Sequence, residues 1–474
     1  MLKHIDVGEP SGRSVYKFGG TSNATGESTN LCMEQGTGLV LVTSAPGSLS
    51  DGQVEAYYKS LGHADVDPDI FRMKVTDQLL SARKAWLEDD EKYTSFVRSV
   101  QARYGWNVTD LQGRRSTGLH FGELSASEWV RAIPTRIAEA CRQGYDATSM
   151  LGEYLQAEVY EAMGLQLLDP AKSRDQLLLR RPDGWRQSFG ALDQRTRHVL
   201  PGNVLFDGKH LLTASRGGSD STAGCMAAAV DADFLYIMSD TMGMSGDPRV
   251  LGDRARPVPY FTKEMTRLLL GSGFVHPETV VPLVGKRTIV RAGNTFGSGG
   301  GFTEYTNEPV SMVPGKPVAL SLLPEVAISN VYRPGMAETV GDVEKIARAL
   351  ARHGINLFDT YGTGGDYQTV LVAHGAANPA EQAIQDSLGD GVRIDVSPAS
   401  IITIVGRELR GRPELDIHNL LAQVGIGIEE KDGEFAGSMW LPSSRDSLRF
   451  SAPPKKGQLA LKVAHRLLIE EDIK

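Results

Sequence analysis

The chain has 474 residues, with 50 Lys+Arg against 58 Asp+Glu and a formal net charge of −8. Such a length holds two to four domains of about 100 to 200 residues each, and 41% hydrophobic with 23% charged residues exclude a disordered or collagen-like chain. Net negative charge without a basic block excludes the electrostatic footprint of a nucleic-acid binder. The opening MLKHIDVGEPSGRSVYKF has no apolar core of a signal peptide, and no later run approaches the ~18 apolar residues of a membrane span. A cytoplasmic protein with neither nucleic acid nor membrane as partner is expected. Cys32, Cys141 and Cys225 are far apart and outside C-x-x-C spacing, so they are expected to be inert thiols. His276, His353, His418 and His465 lack ligand spacing, so they read as packing or surface residues and no metal site is expected.

In chain order, the first strand expected is Val15 to Phe18, which delivers Lys17 to a Gly19-Gly20-Thr21-Ser22 turn. The next is Gly38 to Thr43, ending in Ser44-Ala45-Pro46-Gly47, and residues 45–72 begin like a surface insertion. Leu211 to Ala214 reads as a strand before the loop Ser215 to Thr222, with a helix of small residues from Ser221 to Val230 and another strand from Phe234 to Met238 before Ser239-Asp240. Short apolar runs alternating with helical patterns predict α/β layers around a mainly parallel sheet. The polar, proline-containing stretch Thr303 to Pro317 marks a boundary, giving domains of 1–314 and 315–474. Beyond it the pattern predicts a strand at Val318–Ser329, a helix at Val340–His353 and a strand at Thr369–Ala373. A comparable series follows, with a strand at Ser400–Val405, a helix at Leu415–Val424, a strand at Ser447–Ser451 and a helix at Gln458–Glu470. Two such units in tandem suggest a duplicated small module.

No G-x-x-x-x-G-K-[ST], G-x-G-x-x-G or H-E-x-x-H occurs, so P-loop, Rossmann and zincin chemistry have no support. What remains is glycine loops that follow strands. Paired glycines let backbone N–H groups approach an anion, and a helix N-terminus favours negative charge. Lys17 before Gly19-Gly20 fits phosphate binding, and equally a simple turn. Arg216-Gly217-Gly218-Ser219-Asp220 supplies a planar cation and a carboxylate, and equally an N-cap beside a surface arginine. Ser239-Asp240 and Gly246-Asp247-Pro248-Arg249 add polar groups within a short stretch. The convergence carries the argument.

Lys17 to Ser22, Ser44 to Gly47, Lys74 to Asp77, Gly152 to Leu155, Arg216 to Asp220 and Asp247 to Arg249 together resemble, in family order, the motifs of the aspartate kinases of the amino acid kinase superfamily. The resemblance runs from about residue 15 to the C-terminus, excepting 45–72 and the stretch before Gly152. It implies a three-layer αβα sandwich with a mainly parallel sheet, followed by two ferredoxin-like ACT modules that bind amino acids and pair chains into a homodimer. It implies ATP and Mg²⁺ as cofactors and transfer of a phosphoryl group to the β-carboxylate of aspartate. Such chemistry needs positioning and charge neutralisation more than covalent help.

By the same resemblance Lys17 neutralises the migrating group and Asp220 orients it. Gly19, Gly20, Thr21, Ser22, Ser239, Asp240, Asp247 and Arg249 face the nucleotide. Ser44, Glu153, Asn203, Arg216, Gly217, Gly218 and Ser219 face the substrate, with Glu153 on its ammonium group and Arg216 on a carboxylate. From the residues alone, Glu153 in GEYLQAE reads equally as a solvated helix position. The sequence departs from the family at Asn203, where Phe is usual, which implies a more polar pocket and predicts that Asn203→Phe shifts preference toward aspartate. It departs again at Glu414 and at the irregular Glu430–Ser444 stretch, which could close an effector pocket, so structural scaffolding and allosteric sensing are both expectations. The alternatives to an aspartate kinase are a carboxylate kinase for an aspartate analogue and an impaired, amino-acid-binding ACT protein.

Overall fold

The computed structural model describes residues 13–20, 22, 31–32, 38–44, 153–154, 156–157, 160–161, 164–179, 182–209, 211–213, 217–239, 242–269, 275–297, 301–309, 312–336, 341–353, 355, 357–364, 366–409, 430–431, 434–435, 440–441 and 444–470. Thr21, Arg216, Asp240, the Lys74–Asp77 segment, residues 45–72, Cys141, His418 and the helix expected at 415–424 lie outside them. The chain forms two compact units, one of residues 1–243, 259–267 and 275–310, the other of 244–258, 268–274 and 311–474.

In the first unit, β1 (Ser14–Phe18), β2 (Val40–Thr43), β3 (Gln166–Leu167) and β4 (His198–Pro201) run parallel. A short hairpin follows, β5 (Val204–Phe206) against β6 (Leu211–Thr213), antiparallel and outside the main sheet. The expectation that 211–214 joins the parallel sheet is thus corrected. Asp207-Gly208, with Gly208 at φ 98°, turns the chain back after three residues, as Asp-Gly does in hairpins. The sheet continues through β7 (Phe234–Ser239), β8 (Tyr260–Thr262), β9 (Ile289–Asn294) and β10 (Thr303–Thr306) in the order β3-β4-β2-β1-β7-β9-β10-β8. Only β9 with β10 is antiparallel among these pairs. β1 and β2 are buried along their whole length, which is why they read as unbroken apolar runs rather than alternating ones. Tyr16 and Tyr236 stack with ring centroids 4.4 Å apart in a core with Phe18, Leu41, Tyr160 and Val199.

The second unit is built on β11 (Pro317–Tyr332), β12 (Leu357–Gly364), β13 (Tyr367–Ala373) and β14 (Arg393–Gly406), with the small pair β15 (Glu430–Lys431) and β16 (Glu434–Phe435), then β17 (Trp440–Leu441) and β18 (Ser447–Ala452). Its antiparallel sheet runs β12-β13-β11-β14-β18-β17. β11 is one long strand in two parts, with a register shift between Leu323 and Val326 and Glu325 at φ 54°, the bend expected of a bulge. Residues 326–332 pair with β13 and with 393–399, and the helices Asp342–Arg352 and Ala377–Leu388 complete one module. Residues 317–323 instead pair with 401–406, which pair with β18, beside the helix Gly457–His465. The second module therefore takes its edge strand from the chain that precedes the first. The tandem expectation holds for two modules of ferredoxin-like pattern but not for their order, which is nested.

Each module has its own core, Ala327, Val331, Ile346, Leu350, Val370 and Ile384 in one, Leu320, Ile402, Ile404, Phe450 and Leu461 in the other. Among the described residues no helix is long and apolar enough to cross a membrane.

Candidate active site

The carboxyl ends of β4, β2, β1, β7 and β9 lie side by side in the first unit, the edge where open parallel sheets bind ligands. β1 is central, and Lys17 lies opposite Val42 of β2 and Ile237 of β7. Its Nζ sits 2.5 Å from Asp220 Oδ1, with side chains only 10% and 19% exposed. Asp220 lies in the first turn of the helix Gly218–Ala229, where a carboxylate is favoured by the helix dipole.

That helix starts from Gly217 at φ 83°, with no side-chain cap. A Cβ on Gly217 would also lie 2.6 Å from the His276 ring, so both backbone and space demand glycine. Ser219, next along the turn, shares a hydrogen bond of 2.8 Å with Ser44 Oγ. Thr43 Oγ1 donates to the Glu153 carbonyl at 3.0 Å, fixing buried Glu153 at the end of β2. Gly202 wedges into the same corner, where a Cβ would meet the Thr43 carbonyl oxygen at 2.1 Å and Ser219 Cβ at 2.5 Å. Lys17, Ser44, Glu153, Gly202, Gly217, Gly218, Ser219 and Asp220 thus gather on one side.

On the other side, Ser22 Oγ lies 2.7 Å from Thr295 Oγ1, both fully buried, and the Thr295 N–H donates to the Ser239 carbonyl at 2.8 Å. The loops after β1, β7 and β9 are therefore joined. The Gly19 N–H is donated to the Met238 carbonyl at 2.9 Å, so it extends the sheet. The backbone-donor role read for Gly19 is corrected on that ground. Thr295 was not singled out by the sequence, because its partners are distant in the chain, whereas His276, expected as a packing or surface residue, lies against Gly217.

Two further expected site positions also have local roles. Asn203 occupies the turn after β4 at φ 54°, a left-handed conformation that Asn tolerates better than most residues. The backbone conformation favours Asn there, and its buried Oδ1 has no hydrogen-bond partner among the described residues. Asn203→Phe is expected to lower stability by about 1–2 kcal/mol and Asn203→Gly to leave it near wild type, as read by thermal unfolding; an unchanged melting temperature for the Phe variant would refute this. Asp247 and Arg249 belong to the second unit. Asp247 caps the helix Pro248–Leu251 by accepting from the Arg249 N–H, and it pairs with the Arg249 guanidinium at 2.8 Å.

Burial pushes the Cys225 thiol up to about 12 and the Cys32 thiol further still, so neither supplies a thiolate. Among the described residues no group of His, Cys, Asp and Glu forms a metal cluster.

The sequence model of the amino acid kinase family matches residues 12–290, more than half of the chain. The chain belongs to that family. Among its relatives, the Haemophilus influenzae bifunctional aspartokinase/homoserine dehydrogenase is 24% identical over 69% of this chain and 41% of its own length. The Thermus thermophilus aspartokinase is 24% identical over 90% of this chain and 98% of its own length. The chain spans about two-fifths of the length of the first curated relatives it matches. The fold agrees with the crystal structure of Escherichia coli aspartokinase III in complex with aspartate and ADP, at TM-score 0.69 and 17% identity over 96% of this chain and 99% of that one.

Within the family fold, the strand ends and the Gly218 helix frame a largely buried cation, Lys17, held by a carboxylate. That arrangement suits binding of an anionic group.

Proposed function

We propose that this chain transfers the γ-phosphoryl group of ATP to the side-chain carboxylate of L-aspartate, giving 4-phospho-L-aspartate and ADP. The observation that carries the reading is the Lys17–Asp220 pair, where the glycine loops after β1 and before the Gly218 helix meet. The aspartokinase names of relatives spanning both units support it.

In this mechanism a carboxylate oxygen attacks the γ-phosphorus while the bond to the ADP oxygen breaks. Charge spreads over the transferred group, and a preorganised cation there lowers the barrier. Lys17 supplies that cation, and Asp220 keeps it from swinging away. Ser44, Ser219 and the N–H groups of the Gly218 helix face the substrate, Glu153 takes its ammonium group, and Arg216 its carboxylate. Gly20, Thr21, Ser22, Ser239 and Asp240 face the nucleotide. Mg²⁺, when bound with the nucleotide, would neutralise phosphate charge. Incubation with ATP, Mg²⁺, hydroxylamine and a panel of amino acids is expected to yield a hydroxamate with L-aspartate. Hydroxamate from another amino acid alone would favour the divergent carboxylate kinase, and none from any would reject the kinase reading.

Residues 1–314 serve as the catalytic domain and 315–474 as an ACT-type region that binds an amino-acid effector and joins two chains in a cytoplasmic homodimer. Val343 and Tyr367, each 47% exposed, are apolar surface in that region available for a second copy. The full chain is expected to sediment as a dimer at micromolar concentration. A monomer would remove the pairing role.

A further inference from the structure

Within the first unit, one short segment meets the helix Gly218–Ala229 at two glycines. The His276 ring lies so close to Gly217 that an added Cβ would meet its Cγ and Cδ2 at 2.6 Å. About two helical turns further on, a Cβ at Gly224 would meet the Thr279 carbonyl oxygen at 2.2 Å. His276 and Thr279 are the two ends of one turn, since the Thr279 N–H donates to the His276 carbonyl at 2.9 Å. The helix that carries Asp220 is therefore gripped at its start and at its middle by the same turn.

The ring is fixed from its own segment. His276 begins the helix Pro277–Val280, where the Glu278 N–H donates to its Nδ1 at 3.3 Å, and Pro277 restricts the backbone that follows. Gly217, on the other side of the contact, has no side chain with which to cap its helix. Its carbonyl accepts from the Ser221 N–H at 3.0 Å and from Ser221 Oγ at 3.1 Å. Those two bonds close the turn that holds Asp220, and Asp220 holds Lys17. A shift of Gly217 toward the space now filled by the imidazole would carry that turn with it.

We propose that His276 is a positioning residue for phosphoryl transfer, whose ring buttresses the Gly217 turn and so fixes the direction of Asp220 toward Lys17. This rests on the kinase reading above. His276 acts through Asp220 and offers no group to the reaction.

Two substitutions in the full-length protein separate the ring from the cap. His276→Asn keeps an acceptor for the Glu278 N–H, as Asn does at helix N-termini, and removes the ring. It is expected to lower kcat for hydroxamate formation about tenfold, because a displacement of about 1 Å in a positioned site can cost up to a hundredfold, with KM for ATP and aspartate within about twofold and the melting temperature unchanged. His276→Phe keeps a ring and loses the acceptor, so it should lower the melting temperature and leave kcat within about threefold. In an Asp220→Ala background, His276→Asn should change kcat by less than about twofold, since the group it positions is gone. An unchanged kcat in His276→Asn, the same tenfold loss in both backgrounds, or a greater loss of kcat in His276→Phe than in His276→Asn overturns the proposal. Where His276→Asn folds poorly, His276→Phe decides, and a tenfold loss of kcat there overturns it. If the wild type forms no hydroxamate with any amino acid, the kinase reading fails separately. Amide exchange across 217–221 then replaces kcat. It is expected to quicken in His276→Asn but not in His276→Phe, and equal exchange in wild type and His276→Asn overturns the buttress.

Discussion

Lys17→Ala is expected to lower turnover at least ~100-fold with the protein still folded, the scale on which one preorganised electrostatic contact contributes to a transition state. Lys17 is the side chain of the central strand that reaches the carboxyl edge, and Asp220 holds it at 2.5 Å. Asp220→Ala should fall on the same scale, because the ammonium group then loses the partner that fixes its direction. Asp220→Asn should lose less, since a carbonyl oxygen still accepts from Nζ. Initial rates of hydroxamate formation, beside a folding check by circular dichroism, decide it. Near-normal turnover in a folded Lys17→Ala protein would reject the role.

Gly202→Ala should have a comparable effect on activity although Gly202 has no side chain to offer the reaction. The added methyl would lie 2.1 Å from the Thr43 carbonyl oxygen and 2.5 Å from Ser219 Cβ, and neither can yield alone. Thr43 is in a buried strand that also holds Glu153, and Ser219 lies in the first turn of the helix that carries Asp220. Relief of the clash separates the Ser44–Ser219 contact and moves Asp220 away from Lys17. Overpacking of this kind costs about 1–3 kcal/mol, and a displacement of about 1 Å in a positioned site can cost a hundredfold in rate. A lower melting temperature with turnover reduced by about two orders of magnitude is the expected result. Full activity would mean that the corner is slack.

Much of the fold was readable because buried parallel strands are continuous apolar runs. β1, β2 and β7, and the helix of small residues from 218 to 229, stand close to where the pattern put them. The juxtaposition of Lys17 with Asp220 was readable only through the family resemblance, since the two are far apart in the chain. What was not readable has a common cause. The Ser22–Thr295 and Ser245–His465 bonds join residues 273 and 220 positions apart, and neither leaves a local signature. The two parts of β11 share one β pattern, so nothing in Val318–Ser329 signals that they serve different modules. Asn203 was read for its side chain alone, whereas its backbone conformation, φ 54°, constrains the position as well.

The nesting of the modules bears on how this protein is made. During synthesis the apolar strand 317–323 emerges early, but its partner at 401–406 follows only after the entire first module. Closure of the second sheet is thus a non-local event, slow by comparison with hairpin formation, and an unpaired apolar strand waits through that interval. The helix Gly457–His465, which covers the same face, comes later still. A nascent chain that has emerged as far as residue 399 but not 401–406 would hold a complete first module beside an orphaned strand, a state open to misassembly.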